Sequence, residues 1–293
     1  MGTTEAAAGG DFLLGGDLRV NRLGFGAMRL ALGGSARTSE AGVAVLRRAV
    51  ELGVNHIDTA GFYGFGDLHA HGLIRTALSP YPDDLVIATK VGPLFSGGLT
   101  PAGQAGPDGL RALVEDDLRR LGRDHLDLVY LRVGGMGPAG GESIGERFAA
   151  LARLRAEGLI RHLGVSNVDG AQLAEARSVA PVAAVQNHHH IHHRSDSDVL
   201  ATCEREGIAY VPYFPLGGGG QGIDHARLAN VAARHGATTA QVALAWLLAT
   251  SPVTLPIPGT GSPGHLAENV AAAALRLTAE DLAELDRPGP QVI

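Results

Sequence analysis

Lysine is almost missing from this chain. Lys90 is the single lysine in 293 residues, and every other basic side chain apart from histidine is arginine. Arginine serves surface charge and ion pairing, but it does not give up its proton, and its wide planar fork does not replace a compact buried ammonium. A lysine kept only at the end of the apolar run Val86-Ile87-Ala88-Thr89 is therefore a candidate for work that arginine does not do; an arginine-biased composition is the plainer reading. Cysteine is nearly missing too. Cys203 stands alone, which excludes an internal disulfide and fits a reducing cytoplasm. There is no basic surplus: the net charge is −6, so nothing points to nucleic acid or an anionic membrane. No run approaches the roughly 18 consecutive apolar residues that a bilayer span needs. Residues 1–11 are mostly small and lack the charged and apolar regions of a signal peptide, so they read as a flexible tail.

What the chain does have is a repeat. Phe12-Leu13-Leu14, Gly15-Gly16-Asp17 and Leu18-Arg19-Val20 read as a hairpin with a glycine-rich turn. After it, a short apolar segment followed by a longer connection recurs eight times. Strands are expected over 22–27, 55–58, 85–90, 126–131, 160–165, 183–186, 208–211 and 253–257. Most are rich in Val, Ile and Leu without alternation, as suits parallel strands covered on both faces. Helical spacing marks 39–52, 108–121, 143–157, 195–206 and 238–250. Leu277-Thr278-Ala279-Glu280-Asp281 carries a capping box that starts one more helix. With no break in composition, residues 12–293 are expected to form a single α/β domain. Its fold would be a (β/α)8 barrel with an N-terminal β-hairpin and an extra C-terminal helix. The rival, a doubly wound open sheet, usually announces itself by G-x-G-x-x-G after its first strand, and Gly24-Phe25-Gly26-Ala27-Met28 lacks that spacing.

Chemistry in such a barrel sits at the C-terminal strand ends. Here those ends read Gly26-Ala27-Met28, Asp58 with Tyr63 beyond it, Lys90, Arg132, Ser166-Asn167, Gln186, Tyr213 and Pro258-Gly259-Thr260. Glycine-rich loops at Ser96-Gly97-Gly98, Gly134-Gly135-Met136-Gly137 and Gly217-Gly218-Gly219-Gly220 are candidates for pocket walls or for plain flexible connections. Asp58, Tyr63 and Lys90 make a chemical unit. A phenol loses its proton near pH 10; an ammonium beside it lowers that value, and a carboxylate holds the ammonium in place. The product is a tyrosine fit for general acid work, worth roughly 10²–10⁴ in rate. Taken singly, Tyr63 reads as packing and Asp58 as a helix cap.

Several motifs occur in order: Arg22-Leu23-Gly24-Phe25-Gly26-Ala27-Met28, Gly53-Val54-Asn55-His56-Ile57-Asp58-Thr59-Ala60, Phe62-Tyr63-Gly64 and Ala88-Thr89-Lys90. Leu163-Gly164-Val165-Ser166-Asn167, Val185-Gln186-Asn187, Pro212-Tyr213-Phe214-Pro215-Leu216-Gly217-Gly218 and Ile257-Pro258-Gly259-Thr260 with Glu268-Asn269 continue the series. On these the chain resembles the aldo-keto reductases, in detail the bacterial pyridoxal reductase branch. The resemblance implies a soluble NADPH-dependent reductase of a small-molecule aldehyde or ketone, pyridoxal-like or a secondary-metabolite carbonyl. Tyr63 would be the proton donor, tuned by Lys90 and Asp58. Gly26, Ala27, Met28 and Phe214 would border the cofactor. Ser166, Asn167 and Gln186 would hold the nicotinamide carboxamide, and Tyr213 would stack on its ring. Leu216 and Gly217 would line the pyrophosphate, and Thr260, Ser262, Glu268 and Asn269 would take the adenosine end.

Two departures from the family pattern matter. Where most members carry a histidine after the fourth strand, this chain has Arg132. Three roles are open to it: a fixed positive charge at a carbonyl oxygen, a bidentate clamp for an acidic substrate group, or a structural ion pair. The usual lysine and arginine at the 2′-phosphate are replaced by Gly259 and His265. The phosphate grip weakens, with Thr260, Ser262 and a helix N-terminus left to bind the anion, so NADPH stays ahead of NADH. The run His188-His189-His190-Ile191-His192-His193 reads as a polar loop and not a metal site, because adjacent histidines on a loop lack the fixed geometry that zinc demands. An NADPH-binding regulatory subunit with little turnover, and a Schiff-base aldolase using Lys90, are the alternatives.

Overall fold

The computed structural model describes residues 5–32, 38–65, 67–95, 101–135, 137, 139–219 and 226–287. Ser96-Gly97-Gly98, Met136 and Gly220 lie outside the described residues. Strands β1 (Asp11–Leu14) and β2 (Leu18–Asn21) form the expected antiparallel hairpin. Then follow β3 (Phe25–Gly26), β4 (His56–Asp58), the short pair β5 (Gly64–Phe65) and β6 (Leu68–His69), β7 (Val86–Val91), and a second short pair β8 (Pro93–Leu94) and β9 (Gly103–Gln104). The remainder are β10 (Leu126–Arg132), β11 (Ile160–Ser166), β12 (Ala184–Gln186) and β13 (Ala209–Tyr210). The large sheet is all parallel in the order β13-β12-β11-β10-β7-β4-β3.

The eighth segment closes this sheet without forming a regular strand. Tyr210 donates its N–H to the Val253 carbonyl and accepts from the Leu255 N–H, while Gly24 and Gly26 donate to the carbonyls of Pro256 and Pro258. The expected strand over 253–257 is thus a closing seam. The reason is Pro256 and Pro258, which have no N–H to give to a ladder. For the same reason the first barrel strand, expected over 22–27, shrinks to two residues. The seam is tight. A Cβ at Gly26 would stand 2.7 Å from the Ile257 carbonyl oxygen, and one at Gly259 would stand 2.5 Å from the Gly26 oxygen.

The helices are α1 (Met28–Ala31), α2 (Ser39–Glu51), α3 (Ala70–Leu78), α4 (Pro107–Leu121), α5 (Gly145–Ala156) and α6 (Gly170–Val179). They continue as α7 (Ser197–Glu206), α8 (Ala226–His235), α9 (Thr239–Thr250), α10 (Pro263–Ala271) and α11 (Ala279–Asp286). The five spaced helices and the start of the C-terminal one fall within two residues of expectation; α1, α3, α6, α8 and α10 are additional. Apolar layers cover both faces of the sheet. One lies between sheet and helices, with Ile57, Ile87, Val129 and Val165 facing Val45, Ile74, Val114 and Leu151. The other fills the barrel with Val86, Ala88, Leu128, Tyr130, Ala184 and Leu255.

Within the segment expected to be loose, residues 6–9 are held in place. Ala6–Gly9 form a 3-10 turn, Ala6 is fully buried with its N–H on the Leu52 carbonyl, and Arg276 donates to the Ala8 carbonyl.

Candidate active site

Parallel register brings the strand ends to one level. Gly26 pairs with Asp58, Tyr130 with Lys90, Arg132 with Ser166, and Ser166 with Gln186. Residues two apart share a face of a strand, so Lys90 points with Ala88 into the barrel while Thr89 points toward the helices.

Lys90 is 3% exposed. Its ammonium donates to Asp58 Oδ1 at 2.5 Å and to the Thr59 carbonyl at 2.8 Å. It also stands 5.0 Å from the centre of the Tyr63 ring. Burial pushes the Tyr63 phenol above its ordinary value; Lys90 pulls it down, Asp58 pushes it up again, and Arg132 adds a smaller downward pull. Tyr63 keeps a partly open face toward a cavity, and solvent there moderates the upward push. At neutral pH the phenol therefore carries its proton. The second Asp58 oxygen accepts from Gln186 Nε2 at 2.7 Å. Gln186 is thus engaged with the carboxylate, a link that strand periodicity does not reveal.

Arg132 closes the other side of the mouth. It donates to Ser166 Oγ at 3.2 Å and to the Gly135 carbonyl at 2.5 Å, and its guanidinium lies 4.8 Å from the centre of the Tyr213 ring. Tyr213 donates to Asn167 Oδ1 at 3.3 Å and stacks with His188 at 5.3 Å between ring centres. Asn167 and Phe214 both have positive φ, 60° and 53°. Non-glycine residues seldom adopt this, and such strain gathers where side chains are held for function.

A cavity of about 800 Å³ runs over these groups. Asp58, Tyr63, Lys90, Arg132, Gln186 and Tyr213 lie along it with Gly26, Met28, Phe214 and Leu216. It reaches Gly259, Thr260, His265, Glu268 and Asn269 at the far end. Ala27, Ser166, Asn167, Gly217 and Ser262 do not border it directly. Ser262 instead caps α10, accepting from the His265 N–H at 3.4 Å, and its own N–H donates to Thr260 Oγ1. The first turn of α10, capped by Ser262, reaches the far end of the cleft through His265, and a helix N-terminus attracts anions.

Sequence reasoning passed over part of the wall. Phe62 meets Tyr63 edge-on and stacks with Phe95, both at 5.2 Å between centres. Arg29 reaches across to the Gly218 carbonyl at 2.7 Å. Only the adjacency of Phe62 to Tyr63 could have signalled any of this. The histidine run does not border the cavity: His189 pairs with Asp196 at 3.0 Å, while His190 and His193 exchange backbone hydrogen bonds.

Comparison with known proteins decides the family. The pattern of the Aldo/keto reductase family matches residues 22–221 and 224–288. The chain belongs to the aldo/keto reductases. It is an oxidoreductase acting on carbonyl or CH–OH groups. It is 47% identical over 277 residues to pyridoxine 4-dehydrogenase of Escherichia coli K12, covering 92% of this chain and 96% of that one. The crystal structure of an aldo-keto reductase from Klebsiella pneumoniae in complex with NADPH matches with a TM-score of 0.81 at 31% identity over 96% of each chain. A thermostable aldo-keto reductase in complex with the inhibitor epalrestat matches with a TM-score of 0.78 at 32% identity, over 92% of this chain and 95% of that one. This aldo/keto reductase therefore has the barrel fold of its relatives. Among its described residues no helix is long and apolar enough to cross a membrane.

Proposed function

We propose that residues 12–293 act as one barrel that reduces an aldehyde or ketone to an alcohol with NADPH, Tyr63 giving the proton to the carbonyl oxygen. The observation that carries this is the buried Lys90 ammonium, tied to Asp58 and facing Tyr63 at the cavity. NADPH, when bound, supplies the hydride. Asp58 keeps Lys90 charged and in place; Lys90 favours the phenolate that Tyr63 becomes as its proton leaves. Arg132 places fixed positive charge where the carbonyl oxygen gains electron density. The aromatic pair Phe62 and Phe95 suits a flat substrate, and the pyridoxine dehydrogenase of E. coli makes a pyridoxal-like carbonyl the first to try.

Gln186 and Tyr213 would meet the nicotinamide end, with Ser166 and Asn167 behind them holding Arg132 and Tyr213. Thr260, His265, Glu268 and Asn269 would meet the phosphate and adenosine end, with Ser262 capping α10 behind them. NADPH is favoured over NADH because relatives are known with NADPH and NADP. A reducing cytoplasm suits the buried lone thiol Cys203, which burial pushes up to about 12 and so keeps protonated.

The test is NADPH oxidation followed at the nicotinamide band with pyridoxal and aromatic aldehydes. Tyr63→Phe is expected to lose about 10²-fold or more in kcat while NADPH binding persists. Full activity in that variant would overturn the assignment.

A further inference from the structure

Behind the loop that carries Tyr63, between sheet and helices, three polar side chains are sealed from solvent. Asp117 of α4 is 1% exposed; His71 of α3 and Thr89 of β7 are fully buried. Thr89 Oγ1 donates to Asp117 Oδ2 at 2.7 Å and lies 3.3 Å from His71 Nε2. His71 Nδ1 stands 3.5 Å from Asp117 Oδ1. The three groups form a ring in which two contacts are hydrogen bonds, while the third is a close approach that leaves Nδ1 without a hydrogen-bond partner. The hydroxyl gives its hydrogen to Oδ2, a neutral imidazole offers Nε2–H to Thr89, and a protonated Asp117 meets Nδ1 as a neutral group. The ring then holds no charge anywhere. Remove the acid proton and a bare carboxylate is left in an apolar layer.

The ring touches the candidate site twice. Thr89 immediately precedes Lys90 on β7. Gly61, two residues before Tyr63, lies flat on the carboxyl: a Cβ there would stand 2.4 Å from Asp117 Oδ1 and 3.2 Å from its Cγ. The Gly61 carbonyl is fixed on its other side by His69 Nε2 at 2.9 Å. We propose that Asp117, through this ring with His71 and Thr89, is the seat of the Gly61–Tyr63 loop and acts on the reaction as a positioning residue. This rests on the roles given to Tyr63 and Lys90 above.

Burial pushes the Asp117 carboxyl up to about 7 and the His71 imidazole down to about 3. The groups around the ring are His69 beside His71, Lys90 beyond Thr89, Tyr63 in the loop, and Asp116 and Arg120 on α4. Asp116 opposes ionisation of Asp117 and Arg120 favours it. The folded value of Asp117 lies above the ordinary 3.8. Between those values the folded state holds a proton that the unfolded state has lost, so stability falls as pH rises across that window.

The experiment compares wild type with Asp117→Leu and Asp117→Asn, using kcat, KM and hydrogen exchange of the segment 59–65 in nucleotide-free protein. Asp117→Leu is expected to lower kcat about tenfold or more while KM for NADPH stays within about threefold. Asp117→Asn keeps an oxygen for Thr89 without an acid to titrate. It restores wild-type kcat below about pH 6 and escapes the wild-type decline as pH passes through about 7. Exchange in 59–65, corrected for intrinsic rates, is expected to quicken in Asp117→Leu, and in wild type between about pH 6 and 8, but not in Asp117→Asn. A kcat for Asp117→Leu within about twofold of wild type, or superimposable pH profiles for wild type and Asp117→Asn, would overturn the proposal. The exchange measurement needs no turnover. If no aldehyde is reduced, or Tyr63→Phe stays active, the functional reading fails while unchanged exchange in Asp117→Leu is what removes the seat.

Discussion

At Lys90 the choice between the two basic side chains is decided by room. A single nitrogen fits between Asp58 Oδ1 and the Thr59 carbonyl, at 2.5 and 2.8 Å, in a site only 3% exposed. A guanidinium brings the same charge on a plane too wide for that gap. Lys90→Arg is therefore expected to lower kcat about 10²-fold, with NADPH affinity changed far less. Steady-state kinetics with a nucleotide titration checks it, and wild-type kcat would contradict it. Lys90, Asp58 and Tyr63 were legible because a rare residue type coincided with strand ends. Asp117 was not. It sits in Val114-Glu115-Asp116-Asp117, where a charge run reads as a solvated helix face. Only Leu110, Val114 and Leu121, at i−7, i−3 and i+4 from it, hint that this carboxyl turns inward.

Among the elements, α11 has a cap that also anchors it. Thr278 and Asp281 form a reciprocal capping box. Asp281 then reaches beyond its own helix to Arg234 at 2.7 Å and His235 at 2.6 Å on α8. Burial alone would push the Asp281 carboxyl up, but the bonds from His235, Arg234 and Thr278 hold it below the ordinary carboxylate range. A lowered value means stability present above the ordinary range and lost as pH falls through the folded value. Asp281→Asn is expected to cost about 1–2 kcal/mol at neutral pH, with the gap to wild type narrowing below about pH 4. Thermal unfolding across pH measures both. The box was readable in sequence, whereas α3, α6, α8 and α10 were passed over. Two of them carried start signals of their own, Asp169 with Gln172 in a capping box before α6 and Ser262 with Pro263 before α10, but Gly170 and Gly264 beside them also suit loops.

For the molecule as a whole, the eightfold alternation gave the barrel away, because parallel strands covered on both sides are forced into plain apolar runs. The manner of closure was hidden, since it depends on which carbonyls meet and not on hydrophobicity. Arg22 illustrates this: its guanidinium gathers the carbonyls of Leu248, Ser251 and Thr254 from the far end of the chain. The same closure gives the barrel a built-in chemical reporter. The chain has one side-chain primary amine, and closure buries it under Asp58 and Tyr63. Acylating reagents are expected to pass over Lys90 in the folded protein and to modify it only during transient opening of the mouth. Peptide mass mapping over time would turn that slow modification into a clock for barrel breathing, one that bound nucleotide is expected to slow.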